Sequence, residues 1–375
     1  MLSSLLLFIA TVCFSQKKAF EINSQVENIE GKEVYLTIWN GTSETYNLKV
    51  PVVNGQFQYR DTIGSPLVVR ATPRNESLLK RPSARGSYPT KSGSIWFIAL
   101  PGAKIKVAGK LTDFAEAYPA GDQENEILVH LTKSYFPLLN KEVNLRVKLA
   151  KDSSLTAEAR SRINSEVAAL NKEAVEILKS HIKMNTSSIM ALYFMNDLML
   201  RRQMTAEEAA PLLKTVDSKY KKTGFYELVS NRISGGNFIE GAKMLDISGV
   251  MPDGKVFSNA TLKGKYYLVD FWGSWCGPCM ADMPGLKAMR EKFGDKLDIL
   301  GINQGDNEEK WKSTINTGGL NWYNIMNGKN DKDFVAKLNV TGFPTKILVN
   351  PNGVIVYRST GSGEESMKKL ESYIK

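Results

Sequence analysis

The sequence predicts an α/β domain at the C-terminus, preceded by a small antiparallel β domain and a helical middle region. Three observations carry that division. Near residue 276 an apolar, β-branched run gives way to a helix-forming one across the stretch Trp275-Cys276-Gly277-Pro278-Cys279. In the first third, short alternating segments are punctuated by Asn-Gly and Pro-Gly turns. Between these regions, apolar residues recur at helical spacing. A chain of 375 residues with 42% hydrophobic content has room for two or three cored domains. The expected boundaries are a leader over 1–15, a β-sandwich-like domain over 16–120, a helical region over 121–240 and the α/β domain over 241–375.

The leader comes first. Residues 2–14 form a short apolar run, followed by Ser15-Gln16-Lys17-Lys18. The run is too short to span a bilayer. It has the character of a signal-peptide core with small Ser15 ahead of the cleavage point, although a basic n-region is missing. A buried first strand is the alternative. Cys13 offers a lipoprotein reading, which is the less favoured one because Val12 before it is bulkier than such processing prefers. Removal of the leader leaves Cys276 and Cys279 as the only thiols, which suits an oxidising compartment. The expected location is the periplasm or cell envelope.

Over 20–110 the strand candidates are Val34-Tyr35-Leu36-Thr37-Ile38-Trp39, Phe57-Gln58-Tyr59, Leu67-Val68-Val69 and Ile95-Trp96-Phe97-Ile98. Turns at Asn40-Gly41, Asn54-Gly55, Ile63-Gly64 and Pro101-Gly102 separate them. The expectation is a small antiparallel sandwich with a long mobile loop at 75–94, a stretch rich in Ser, Arg, Pro and Gly.

Beyond residue 121 the period changes. Ile163, Val167, Leu170, Val175 and Leu178 mark an amphipathic helix over 155–183. Further helices are expected over 187–202 and 205–220, the latter opened by a capping box in Thr205-Ala206-Glu207-Glu208. Met184, Met190, Met195, Met199 and Met204 fall near a helical repeat, so core packing is expected rather than metal binding or a flexible groove for unfolded clients. His130 and His181 have no ligand-spaced companion, and each is expected at the surface or in a cap.

The last domain carries the chemistry. Tyr266-Tyr267-Leu268-Val269-Asp270-Phe271-Trp272 reads as a buried strand, and the residues from Met280 to Phe293 as a helix. Cys276 then stands at the first helical turn, where unpaired N–H groups and the macrodipole favour an anion. A thiolate is that anion and is the nucleophilic form. Cys279, one turn inside, is placed to resolve a mixed disulfide on Cys276. Gly277 and Pro278 set the turn, and a first-turn proline forfeits no helical hydrogen bond. Trp275 is expected to cover one side of the sulfurs.

Other readings of the pair fail on counting. Structural zinc needs four ligands, and the chain holds three cysteines and two histidines far apart in sequence. A Cys-His hydrolase lacks its histidine, because none occurs in the last half of the chain. A structural disulfide closing so short a loop gains little entropy. Redox chemistry remains, and no cofactor or metal is expected.

Two carboxylates stand near this turn. Asp270 lies in an apolar strand. Its side chain is either outward and solvated or, because a strand flanked by helices has few solvated faces, buried with a raised pKa. In the second case it can take the proton of Cys279 during resolution. Asp282, three residues past Cys279, falls on roughly the same helix face. Pro284 is expected to kink the helix.

Four segments together carry a family resemblance. Residues 246–265 contain the turn Pro252-Asp253-Gly254-Lys255 and then Leu262-Lys263-Gly264-Lys265. Val269-Asp270-Phe271-Trp272 leads into the cysteine pair. Met280-Ala281-Asp282-Met283-Pro284 follows it, and Val340-Thr341-Gly342-Phe343-Pro344-Thr345 comes later. With these, residues 241–375 resemble a thioredoxin-fold domain of the exported TlpA/ResA-like thiol-disulfide oxidoreductases. The resemblance implies an opening hairpin, an active-site strand and turn, and a cis-proline loop. Taken alone, Gly342-Phe343-Pro344 is equally an ordinary turn. The resemblance makes Pro344 cis and sets the Phe343 backbone against Cys276, ready to pair with an extended partner chain. It also implies roles for Asp270 and Asp282 in thiol tuning, although relatives more often carry Asn at the first position and Glu at the second. The region upstream loosely resembles the β-rich domain preceding thioredoxin modules in exported Bacteroidetes-type proteins.

The implied activity is dithiol-disulfide exchange through a Cys276-Cys279 pair, with protein thiol and disulfide clients and an upstream membrane electron donor. A Gly-Pro spacer resembles the reducing end of the scale, near about −270 mV, rather than the oxidising end near about −120 mV. The net charge of +10 lies mostly upstream of this domain, scattered over Arg81, Arg85, Arg201, Arg202, Lys219, Lys221 and Lys222. That pattern favours a solvated face or attraction to anionic envelope components over a nucleic-acid surface. Two alternatives stay open: a peroxiredoxin-like enzyme, though the Thr-x-x-Cys context is absent, and a binding module with a vestigial redox site.

Overall fold

The computed structural model describes residues 17–42, 45–83, 87–88, 90–235, 238–329 and 332–375. The leader, Cys13 and Arg85 lie outside the described residues. The chain forms two compact units. The first runs to residue 178 apart from 41–45, and the second comprises 41–45 with 179–375.

Among the described residues, the first unit contains eight strands. They are β1 (Lys18–Glu27), β2 (Glu33–Trp39), β3 (Thr45–Pro51), β4 (Gln58–Ile63), β5 (Leu67–Pro73), β6 (Ile95–Ala99), β7 (Lys104–Leu111) and β8 (Ala115–Ala120). They form two four-stranded sheets, ordered β4-β1-β7-β8 and β3-β2-β5-β6. Alternation along β1 and β2 places Phe20, Ile22, Val26, Val34, Leu36 and Ile38 in one core shared by both sheets. A sandwich is therefore present. It departs from the antiparallel expectation at one pair, since β1 and β7 run parallel. Long excursions separate these two strands in sequence, so no hairpin dictates their direction.

The expected mobile loop over 75–94 is anchored where it is described. Asn75 accepts from Glu30 N at 2.9 Å and donates to Asn28 O at 2.5 Å. Buried Lys80 pairs with Asp113, and Trp96 Nε1 reaches Lys91 O at 3.0 Å. Its composition signals irregular backbone and cannot reveal these long-range anchors. Helix α1 (Gln123–Lys151) starts at Asp122, whose side chain accepts from Asn125 N. The Asn125 amide then pairs with both backbone groups of Ile98 at 2.8 and 2.9 Å, which ties α1 to β6. Helix α2 (Ala157–Met184) follows.

The second unit opens with α3 (Ile189–Leu200), α4 (Ala206–Lys214) and α5 (Gly224–Gly235). The capping box at α4 is formed in both directions between Thr205 and Glu208. The helix stops at Lys214, short of the expected 220, and a separate turn carries Tyr220. Met190, Met195, Met199 and Met204 are buried core residues, while Met184 is exposed. His130 is exposed. His181 is buried, contrary to expectation, because its face of α2 turns inward, and Asn185 stands 3.4 Å from its Nδ1.

A hairpin of β9 (Ser248–Val250) and β10 (Val256–Ser258) leads into a five-stranded sheet. Its strands are β11 (Tyr266–Trp272), β12 (Leu297–Asn303), β13 (Tyr323–Met326), β14 (Thr345–Val349) and β15 (Ile355–Thr360), in the order β13-β12-β11-β14-β15. The first three are mutually parallel, and β14 and β15 are antiparallel to their neighbours. The intervening helices are α6 (Gly277–Phe293), α7 (Glu308–Gly318), α8 (Phe334–Lys337) and α9 (Glu364–Glu371). The central strand β11 is covered on both faces. Val269 and Phe271 enter one core, and Leu268 and Trp272 enter the other with Cys276, Cys279 and Met283 of the α6 region.

Candidate active site: a disulfide where β11 turns into α6

Strand β11 ends at Trp272, and after three intervening residues the chain enters α6 with Cys276 as N-cap and Pro278 in the first turn. Cys276 and Cys279 are joined, with the sulfurs 2.02 Å apart. Cys276 Sγ accepts from the Cys279 N–H at 3.2 Å, so a backbone donor of the first turn points at the sulfur expected to carry negative charge. Both cysteines are buried in this oxidised state, Cys276 at 4% exposure and Cys279 at 1%. Phe343 packs on the same cluster and helps to enclose it. Gly277 faces open space, since a Cβ there would meet nothing within 4 Å.

Trp275 is 57% exposed. Its indole N–H donates to Gln304 O at 2.8 Å, and its ring meets Phe343 edge-on at 5.4 Å. Gly273 makes room for this ring: a Cβ there would lie 2.4 Å from Trp275 Nε1. The loop before the cysteines is fastened by Asp306. Its carboxylate accepts from Ser274 N at 2.8 Å, Ser274 Oγ at 2.6 Å and Asn303 Nδ2 at 2.7 Å. The Phe343–Pro344 peptide is cis, and Thr345 Oγ1 donates to Gly342 O at 2.7 Å beside it. Exposed Trp275 and half-buried Phe343 thus form one aromatic ledge beside the disulfide.

Buried Asp270 and partly buried Asp282 converge on one lysine, Lys346. Asp270 is 2% exposed, so its side chain is not solvated. It shares the β11 face of Leu268 and Trp272, which pack with both cysteines. Burial pushes its pKa from 3.8 up to about 6; Lys346 opposes that rise and Asp282 adds to it. Register places Lys346 of β14 directly opposite Asp270. Lys346 Nζ lies 2.5 Å from Asp282 Oδ2 and 3.9 Å from Asp270 Oδ1, and Lys346 is 1% exposed. Asp282 therefore reaches across from α6 to a strand lysine. Pro284 stays within the continuous α6 helix.

Sequence reasoning missed Lys346, Asp306 and Ser274. A signal existed for the first: a lone lysine two residues after Pro344, in the apolar run Ile347-Leu348-Val349, cannot be buried without a counter-charge. Among the described residues, no group of three or more His, Cys, Asp or Glu is arranged to hold a metal ion.

Residues 264–355 match the thioredoxin-like family model. This domain is thioredoxin-like. ResA of Bacillus subtilis, named a thiol-disulfide oxidoreductase, is 29% identical over 116 residues, which cover 31% of this chain and 64% of that protein. The chain thus spans just under two thirds of that relative's length. The thioredoxin-like protein YneN of the same organism is 28% identical over 137 residues, covering 35% of this chain and 79% of YneN. Among solved structures, the thioredoxin domain of a Bacteroides vulgatus thiol-disulfide oxidoreductase is 32% identical, covering 36% of this chain and 99% of its own, with a TM-score of 0.34. A thiol:disulfide interchange protein from Bacteroides sp. is 31% identical, covering 37% of this chain and 91% of its own, also with a TM-score of 0.34.

Proposed function

We propose that the protein is a thiol-disulfide oxidoreductase that reduces protein disulfides in the cell envelope by cycling Cys276 and Cys279 between dithiol and disulfide. The observation that carries this reading is the pair itself: two sulfurs at bonding distance, one of them capping a helix in a thioredoxin-like domain. In the reduced state, Cys276 thiolate attacks one sulfur of a client disulfide and releases the other as thiolate. Asp270 takes the Cys279 proton. The Cys279 thiolate then attacks Cys276 Sγ, expels the client's second sulfur and restores the disulfide. Two electrons pass to the client, and a membrane electron donor returns them. The ledge of Trp275 and Phe343, with the turn residues Gly277 and Pro278 and the backbone around Pro344, receives an extended client segment.

The envelope location is supported by the apolar run at 2–14 and by a thiol inventory suited to an oxidising compartment. Among the described residues, no helix is long and apolar enough to cross a membrane. The upstream sections 16–120 and 121–240, in this proposal, position the redox domain or select its clients.

The test is insulin reduction by the full chain, together with trapping in cells. Wild type reduces insulin and Cys276→Ala does not. Cys279→Ala accumulates a mixed disulfide between Cys276 and envelope proteins, identified by mass spectrometry. Peroxide turnover without insulin reduction would refute the assignment.

A further inference from the structure

One buried arginine ties the helices ahead of the redox domain to the segment that carries Phe343. We propose that Arg232 is a positioning residue for client binding: from α5 it fixes the turn at Asn339, and through that turn the seat of Phe343 beside Trp275. The assignment rests on the thiol-disulfide reading above. Arg232 is 3% exposed, and burial lowers its pKa to about 10. A guanidinium so enclosed is costly unless its donors are satisfied. Its Nε donates to Asn196 Oδ1 of α3, and its Nη1 donates to Asn339 Oδ1 at 3.3 Å. Asp333, the buried N-cap of α8, stabilises its charge. One side chain thus joins α3, α5 and the segment that leaves α8.

Asn339 is where the chain changes direction. Its φ of 47° lies in the left-handed region, which asparagine tolerates better than most residues with a β-carbon. The turn is held from three sides. Arg232 takes the Asn339 side chain. Arg358 of β15 donates to Leu338 O at 2.6 Å and to Asn339 O at 3.0 Å. Gly235, at the end of α5, lets backbone approach backbone, since a Cβ there would lie 2.4 Å from Lys337 O and 2.9 Å from Asn339 N. Val340 then enters the core, and its N–H returns to Val335 O at 2.8 Å. Thr341, Gly342 and Phe343 follow, all half-buried, and Phe343 meets Trp275 edge-on at 5.4 Å. Loosening Asn339 therefore shifts the aromatic ledge, while the turn at Cys276 keeps its own bonds from Ser274 to Asp306 and from Cys279 N–H to Cys276 Sγ. The effect falls on the seating of an extended client rather than on sulfur exchange.

Two substrates separate these effects in full-length protein recycled by dithiothreitol. Insulin presents a polypeptide to be seated, whereas dithiobis(nitrobenzoate) presents a disulfide with no chain attached. Asn339→Gly keeps the positive φ and loses the acceptor. It should raise KM for insulin about tenfold, the effect of one lost hydrogen bond from a charged donor, with kcat and the rate on dithiobis(nitrobenzoate) unchanged. Arg232→Met should do the same, and the double variant should be no worse than either single one. Asn339→Asp restores an acceptor at the same turn, so its KM should match wild type. Near-UV circular dichroism checks each fold, and the two Asn339 variants carry the test if Arg232→Met does not fold. A wild-type KM in Asn339→Gly, no recovery in Asn339→Asp, equal losses on both substrates or multiplied effects in the double variant would each overturn the assignment. Insulin left intact by wild type would overturn the thiol-disulfide reading, and this assignment with it.

Discussion

Replacing Asp270 with asparagine should stabilise the oxidised protein at neutral and alkaline pH. Asp270 ordinarily ionises at 3.8, and in the folded chain burial holds it at about 6. A buried acid of this kind costs stability once the medium would ionise it, because folding must either retain a proton that the unfolded chain has released or bury a charge. Below 3.8 both states are protonated and the cost vanishes. It grows as pH rises toward about 6 and is constant above. At about 1.36 kcal/mol per pH unit, the full cost is about 3 kcal/mol. The substituted amide cannot ionise, and Lys346 keeps its partner Asp282 at 2.5 Å, so the cation is not orphaned. Asp270→Asn should therefore gain about 3 kcal/mol at about pH 8 and almost nothing at about pH 4. Urea denaturation of oxidised full-length protein across that range, followed by tryptophan fluorescence, measures the difference. Because the chain forms two compact units, the transition that carries the signal of Trp272 and Trp275 is the one to compare. A gain of equal size at both ends of the pH range would refute the ionisation argument, and a loss at about pH 8 would refute it more directly.

Further changes test how the surroundings hold the site. Gly273→Ala places a Cβ 2.4 Å from Trp275 Nε1, so the indole must leave Gln304 O; insulin reduction should fall about fivefold, the equivalent of about 1 kcal/mol of lost positioning. Gly235→Ala drives a Cβ to 2.4 Å from Lys337 O and 2.9 Å from Asn339 N, where α5 meets α8. Overpacking of that kind should cost about 1–3 kcal/mol and lower the melting temperature, and an unchanged melting curve would mean that the two helices can part freely. Thr205→Ala removes one half of the capping box on α4 and should cost about 1 kcal/mol in urea unfolding, with Thr205→Ser restoring most of it.

What could be read from the sequence was whatever is decided within a few residues. The turn from β11 to α6 is local: an apolar run, a short spacer, a helix start and two cysteines one turn apart. The capping box at Thr205 and the hairpin ahead of β11 are local in the same sense. The strands of the first unit were legible through alternation, yet the parallel pairing of β1 with β7 was not, because direction between distant strands leaves no mark on either one. The anchoring of 75–94 and the burial of His181 were hidden for the same reason.

The candidate site shows that division at the level of single atoms. Asp270 drew notice as a charge in an apolar strand, and Lys346 is the same anomaly in β14. Each is costly alone, and each poses the question of a counter-charge that its own segment cannot answer. Only the register of β11 against β14 makes them neighbours, and only the face of α6 brings Asp282 to the same lysine. Two lone buried charges of opposite sign in one predicted domain therefore constrain each other: neither strand is stable in a sheet covered on both sides unless its charge meets the other or a third group. The register that sets Lys346 opposite Asp270 meets that demand for both strands at once, and Asp282 supplies the third group.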